Sequence, residues 1–307
     1  MVYPRLIAWA SLLGLLVSCS TPKEEVEVAP LNWPENNLME VSDLGYWMDQ
    51  PDVVFVDIRL TDRYMTGHIP GAIHLTRKDL ENAEMDYAGA QADREQLQAL
   101  LSQKGVKPTD RLIIYDARGQ VEAARFWWIM LGQGHQQMVL LNGGIQSWKS
   151  AGNQVCTENC DHRDPTHYVF ERPKSDQWSV YKEELIDRLS DSTLLLVDAR
   201  NDDEYTGERQ KKGAYRAGHI PGAILINYTE SLSPDYTFKT ADSLRALFQS
   251  HQVNPEEEVL VYCHSGVRSS HTLFVLTQIL GYENVRNYDG SWIEWSKDES
   301  LPLVSHP

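Results

Sequence analysis

The residues able to do chemistry concentrate at 259–270, VLVYCHSGVRSS. Four apolar residues, Val259, Leu260, Val261 and Tyr262, run as a strand into Cys263, and Arg268 follows with four residues between them. His264, Ser265, Gly266 and Val267 fill that gap; HTLFVLTQILG then carries apolar residues at helical spacing up to Gly281. A strand, a tight loop and a helix N-terminus in this order bind anions. Backbone N–H groups without intrahelical partners point into the loop, and the helix dipole adds to them. A free cysteine has a pKa of about 8.5, which falls to roughly 3.5–7.5 at helix N-termini or beside cations. Cys263 therefore reads as a thiolate nucleophile rather than a buried structural cysteine. Gly266 gives the curvature, and Arg268 is either a fixed cation for the substrate or an anchor for loop carbonyls. His264 either faces the pocket or is exposed.

The elements that must position this loop occur twice. DVVFVDIR at 52–59 is matched by LLLVDAR at 194–200, GHIPGAIHL at 67–75 by GHIPGAILI at 218–226, and RLIIYDARG at 111–119 by the cysteine stretch itself. Asp116 to Gly143 and Cys263 to Gly290 are both 27 residues; Asp116 to Trp148 and Cys263 to Trp295 are both 32. The chain is an internal duplication in which Asp116 stands where the second copy has Cys263. The front halves differ by the insert ERQKKGAYRA, since Asp57 to Gly67 is 10 residues and Asp198 to Gly218 is 20. Alternating strands and helical stretches in units of about 120 residues predict two α/β domains, each with a mostly parallel sheet flanked by helices. The expected limits are 38–152 for the first, 153–177 for a linker and 178–307 for the second. Ligands of such sheets bind beyond the carboxyl ends of strands, where Arg200 and Cys263 fall. His68 and His219 recur in both copies and read as turn-stabilising; tryptophans 127, 128, 148, 292 and 295 read as core and interface.

The 307 residues carry a formal charge of −16, which argues against nucleic acid as a partner. An anionic substrate must then find a local basic pocket. Residues 1–18 hold Arg5 and a 12-residue apolar run, too short for a spanning helix of roughly 20 residues but suited to a signal peptide. The run ends in Leu16-Val17-Ser18-Cys19, which resembles a bacterial lipobox. That resemblance implies cleavage, lipidation of Cys19 and a membrane contact through lipid alone. With Ser20 next, it implies a periplasm-facing lipoprotein of the outer membrane; 19–37 is then a tether. Cys156 and Cys160 remain as a close pair, read as a disulfide or two free thiols. Metal ligation with His162 and His167 is the weaker alternative, and no metal site is expected.

Asp57-Ile58-Arg59, the two GHIPGA turns, AARFWW, CHSGVR and YDGSWIEW together resemble the tandem-domain rhodanese (thiosulfate/3-mercaptopyruvate sulfurtransferase) family over nearly all of 38–300. The resemblance implies an inactive first domain, a catalytic second domain, Cys263 as the persulfide-forming residue and Arg200 as a substrate-binding residue. Arg200 could instead pair with Asp198 or Glu204. No cofactor is expected beyond sulfur carried on Cys263. The expected partners are a small anionic sulfur donor and a thiol or cyanide acceptor, with His264, Ser265, Gly266, Val267 and Arg268 lining the donor site. Positive charge on Arg268 favours thiosulfate over 3-mercaptopyruvate. A cysteine phosphatase would place its arginine after five intervening residues to wrap phosphate, one more than here. A non-enzymatic persulfide carrier would need the same reactive Cys263.

Overall fold

Residues 53–57 and 111–115 are apolar almost throughout and end in one polar or aromatic group, a pattern that suits strands covered on both faces. In the computed structural model, which describes residues 32–158, 163–191 and 193–305, they lie side by side in a parallel sheet. The first half contains β1 (Leu38–Met39), α1 (Leu44–Trp47), β2 (Val53–Asp57), α2 (Thr61–Met65), β3 (Ile73–His74), α3 (Arg94–Gln103), β4 (Arg111–Tyr115), α4 (Val121–Gln133), β5 (Met138–Leu141) and α5 (Gly144–Ser150). The second contains β6 (Ser179–Val180), α6 (Lys182–Arg188), β7 (Leu195–Asp198), α7 (Asp202–Thr206), β8 (Ile224–Leu225), α8 (Ala241–Ser250), β9 (Val259–Tyr262), α9 (Val267–Phe274), β10 (Val285–Tyr288) and α10 (Ser291–Lys297). The strand orders are β1-β5-β4-β2-β3 and β6-β10-β9-β7-β8, the same winding, and every pair is parallel. The fold is two α/β domains, as the duplicated pattern predicts.

The duplication extends to contacts. His68 stacks on Tyr64 at 3.7 Å and His219 on Tyr205 at 3.6 Å, and each histidine Nδ1 meets its tyrosine's carbonyl. Both histidines hold the GHIPGA turn. Over the back half of each domain, equivalent residues differ by 147 in number, and several meet across the boundary. Trp127 and its equivalent Phe274 touch edge to face at 4.9 Å. Gln91 N–H donates to Asp289 at 3.1 Å, and its equivalent Phe238 N–H donates to Asn142 at 2.9 Å. The two halves thus grip each other about an approximate two-fold. A single apolar cluster runs through both, with Phe126, Trp127 and Trp128 beside Phe238 and Phe274. Trp148 belongs to an outer cluster of the first half, and Trp292 and Trp295 to one of the second.

The linker is docked rather than loose. Tyr168 and Phe170 are buried, and Cys156 exchanges backbone hydrogen bonds with His68, both at 2.9 Å. Cys156 is disulfide-bonded. Its expected partner Cys160, the proposed ligand His162, the leader at 1–18 and Cys19 lie outside the described residues. Among the described residues no group of three or more His, Cys, Asp or Glu could hold a metal, and no helix is long and apolar enough to cross a membrane.

His271 on α9 is fully buried where the halves meet, near Tyr228 and Phe238. Burial pulls its pKa down to about 3, and burial likewise holds His135 at about 4. A histidine with an unfolded pKa of about 6.5 takes up its proton more readily in the unfolded chain. Its contribution to stability is therefore complete above about pH 6.5. It is lost as pH falls toward the folded value, at up to about 1.4 kcal/mol per pH unit. His271→Phe is expected to flatten this acid limb, so that the variant's Tm drops less than the wild type's on going from about pH 7 to about pH 5. Equal drops in the two proteins would assign the limb to other groups.

Candidate active site

β9 delivers Cys263 to the carboxyl edge of the second sheet, and the chain turns at once into α9. The turn needs Gly266, whose φ is 76°; a Cβ there would lie 2.6 Å from both Arg125 Nη1 and Asp289 Oδ1. Cys263 is 1% exposed. Burial alone would push its thiol up. The Arg268 guanidinium, the Ser269 hydroxyl 3.5 Å from Sγ, and the backbone N–H groups of Ser269 and Ser265 outweigh it, and the thiol sits below its ordinary value.

The first domain displays what this loop geometry accepts. At the equivalent place the Asp116 carboxylate collects four backbone N–H groups, from Arg118 (2.8 Å), Gln120 (3.0 Å), Glu122 (2.8 Å) and Ala123 (3.3 Å). Burial pushes that carboxyl above its usual range against the pull of those four donors. One copy of the loop is thus filled by a built-in anion, and the other presents sulfur to the same arrangement.

A clamp that the motifs did not announce secures the cysteine copy. Ser291, at φ 49°, accepts the N–H groups of Cys263 and Gly266 at 3.1 Å each on its hydroxyl, and donates to the Tyr288 carbonyl at 2.7 Å. The next two N–H groups of α10, Trp292 and Ile293, donate to the carbonyls of Cys263 and His264 at 3.0 Å. The first domain has Gly144 at Ser291's position, where a Cβ would stand 2.3 Å from the Asp116 carbonyl. A serine at 291 where the 147-residue offset places Gly144 in the other copy was the available signal.

The expected site residues divide. Arg268 reaches Cys263 electrostatically, but its guanidinium forms a two-pronged pair with Glu204 on α7, at 2.6 and 2.9 Å. Burial acts to raise Glu204, and Arg268 overrides it and holds the carboxyl at about 2. Arg268 thus faces both Glu204 and Cys263, and its charge is shared between them. Arg200 takes Asp198, one of its two alternative partners. It is 1% exposed, paired with Asp198, bonded to the Gly218 carbonyl at 2.8 Å and covered by Trp292. Arg59 makes the same bonds to Asp57 and Gly67 in the domain without a cysteine, so the arrangement is structural. His264 is buried, with Nε2 3.1 Å from the Lys212 carbonyl; burial, with Lys211 beside it, holds the imidazole neutral at about 4. Ser265 receives a hydrogen bond from Arg77 of the first domain at 2.6 Å. Val267 is buried at the start of α9.

The insert places a second cation near Cys263. Lys211 has no ion-pair partner among the described residues, and its ammonium lies in electrostatic range of Cys263, Arg268, Glu204 and Arg77. Desolvation and the neighbouring Arg268 pull it below its ordinary value. The hydrogen bond from His264 to Lys212 ties the insert to the loop.

A rhodanese-like domain matches residues 40–151 and again 181–298. The chain belongs to the rhodanese family. It is 33% identical to a candidate thiosulfate sulfurtransferase of Saccharopolyspora erythraea, over 92% of this chain and 96% of that one. It is 34% identical to a sulfur carrier protein, TtuD, of Thermus thermophilus, over 78% and 86%. Among solved structures it resembles EanB in complex with ergothioneine covalently linked with a persulfide cysteine. That likeness has a TM-score of 0.79 at 25% identity and covers 91% of this chain and 72% of that one. Sulfur transfer is the activity class of this rhodanese.

Ser291→Ala would leave the N–H groups of Cys263 and Gly266 without their acceptor. The loss is expected to cost about 1–3 kcal/mol in chemical denaturation. It should also slow alkylation of Cys263 near neutral pH, because the N–H groups that favour the thiolate lose their frame. Unchanged alkylation in a folded variant would show that the clamp is dispensable.

Proposed function

We propose that this rhodanese moves sulfane sulfur from thiosulfate to a thiol or cyanide through a persulfide on Cys263. The observation that carries the proposal is the buried thiol, lowered below its ordinary value, in a loop whose twin holds a carboxylate on four N–H groups. The thiolate attacks the outer sulfur of thiosulfate. A new S–S bond forms as the old one breaks, and sulfite leaves with the electron pair. Cyanide or a thiolate then attacks the outer sulfur of the persulfide, and Cys263 departs as thiolate, ready for another cycle. Sulfur carried on Cys263 is the only covalent intermediate, and no cofactor enters the scheme. Lys211 is the donor's counter-charge: an unpaired ammonium suits a dianion better than the neutral Arg268–Glu204 pair does. 3-Mercaptopyruvate, a monoanion at its carboxylate, is the alternative donor.

The resemblance to a protein named as a sulfur carrier favours a second reading, in which Cys263 hands its sulfur to a partner protein. For location, the lipobox-like Leu16-Val17-Ser18-Cys19 supports a lipid-anchored protein of the cell envelope. Membrane fractionation of Cys19→Ala against wild type tests that placement, and release into the soluble fraction is expected.

Mixing the protein with thiosulfate alone should release about one sulfite per chain and add one sulfur atom to the peptide bearing Cys263. Adding cyanide should give continuous turnover, and Cys263→Ser should give neither. A burst without turnover in cyanide or small thiols would replace the enzyme by the carrier. Lys211→Gln is expected to raise KM for thiosulfate about tenfold, with kcat nearly unchanged. A larger effect on 3-mercaptopyruvate would reverse the donor preference.

A further inference from the structure

The approximate two-fold that relates the halves is broken at one buried contact. On both sides a backbone N–H from one domain docks on the residue that follows the last strand of the other: Gln91 on Asp289, Phe238 on Asn142. Only the side bearing Cys263 adds an ion pair. Arg125 on α4 reaches across at 2.5 Å to Asp289, with Arg125 2% exposed and lying over Trp128. At the equivalent places the other side has Thr272 and Asn142. Docking therefore does not require charge, since half of the interface docks without it. A buried ion pair is also a weak source of stability, because desolvation offsets most of its attraction. Its presence on one side alone needs another explanation.

The same guanidinium supplies one. Arg125 Nη1 also faces the Gly266 carbonyl at 3.4 Å, and Nη2 donates to the Gly89 carbonyl at 3.0 Å. The Gly266 oxygen is further held by Asn287 (3.4 Å), the Ser270 hydroxyl (2.6 Å) and the Ser270 N–H (3.2 Å). In a planar trans peptide the N–H points opposite to the carbonyl. Holding the Gly266 oxygen with these donors therefore also fixes the direction of the Val267 N–H. In the first domain the equivalent N–H, Gln120, donates to Asp116 at 3.0 Å.

We propose that the Arg125–Asp289 ion pair is a positioning device through which the first domain orients the Gly266–Val267 peptide and so sets the reactivity of Cys263. The proposal rests on the reading of Cys263 as the nucleophile. It gives the domain without a cysteine a share in sulfur transfer: Arg125 belongs to the AARFWW stretch and acts on the sulfur through the loop backbone. Tyr87, 3.4 Å from Asp289, Glu294 and Glu122 are the other titratable groups facing the pair. Arg268 and Lys211 are the charged groups facing Cys263, and the test alters none of these five.

The test writes the residues of the uncharged side onto the charged one, as Arg125→Thr with Asp289→Asn. Tm and near-UV circular dichroism report folding, iodoacetamide alkylation across pH reports the thiolate, and the sulfite burst reports the first half-reaction. The double variant is expected to fold, to shift the alkylation midpoint up by about one pH unit and to slow the burst about tenfold, with KM for thiosulfate within about twofold of wild type. A folded variant with a lower Tm but an alkylation profile coincident with wild type would reduce the pair to docking and overturn the proposal. If the double variant does not fold, Arg125→Lys decides by the same readings. It keeps the charge for Asp289, but one ammonium cannot also span both carbonyls, and a smaller upward shift is expected. Alkylation needs no sulfur donor. Failure of the wild type to release sulfite would therefore sink the sulfur-transfer reading alone, and an unmoved profile would sink this one alone.

Discussion

Everything in this molecule depends on a loop of backbone N–H groups kept open for negative charge. Such a loop is unstable when empty, because buried donors without acceptors cost more than the turn itself gains. The chain resolves this twice, in different ways. Asp116 closes the first loop with its own carboxylate, and the result is a finished, inert turn. The second loop is left to a thiol, whose anion is a weaker acceptor favoured from outside by Arg268, the Ser269 hydroxyl and the N–H groups of Ser269 and Ser265. The same scaffold thus carries a self-closed turn in one copy and a cysteine-headed loop in the other.

Supporting a weak acceptor demands a stiffer frame, and the extra parts all lie on the cysteine side. Ser291 takes the left-handed place held by Gly144 in the other half and uses its hydroxyl to bridge two loop N–H groups. Glu204 neutralises and aims Arg268, and it is itself held at the start of α7 by a capping box with Asn201. Arg77 reaches Ser265 from the opposite domain. The strain and buried charge gathered here are those that functional sites tolerate and ordinary cores avoid.

The fold was largely legible in the sequence because it is written twice. The central strands are continuous apolar runs, and the GHIPGA turns and the constant offset between copies align the halves without structural help. Cys263 was legible for the same reason, since its twin is a residue that cannot act as a thiol. What escaped were partnerships between residues far apart in number. Arg200 and Arg268 look alike as loop-edge arginines; Asp198 was among the partners legible for the first, but only the fold shows the second locked onto Glu204, 64 residues away. Lys211 sat inside an insert that alignment of the two copies could only report as extra length. The fold brings that insert's ammonium into electrostatic range of Cys263.

The shared apolar cluster has a consequence for how the protein comes apart. Phe126, Trp127 and Trp128 from one half and Phe238 and Phe274 from the other lie in a single core, so neither half closes its own apolar surface. Although each carries a complete sheet, separation would expose aromatic surface on both. The two domains are therefore one cooperative folding unit. Denaturant should melt both sheets in a single transition, and the cysteine-bearing half made alone would be an aggregation-prone fragment.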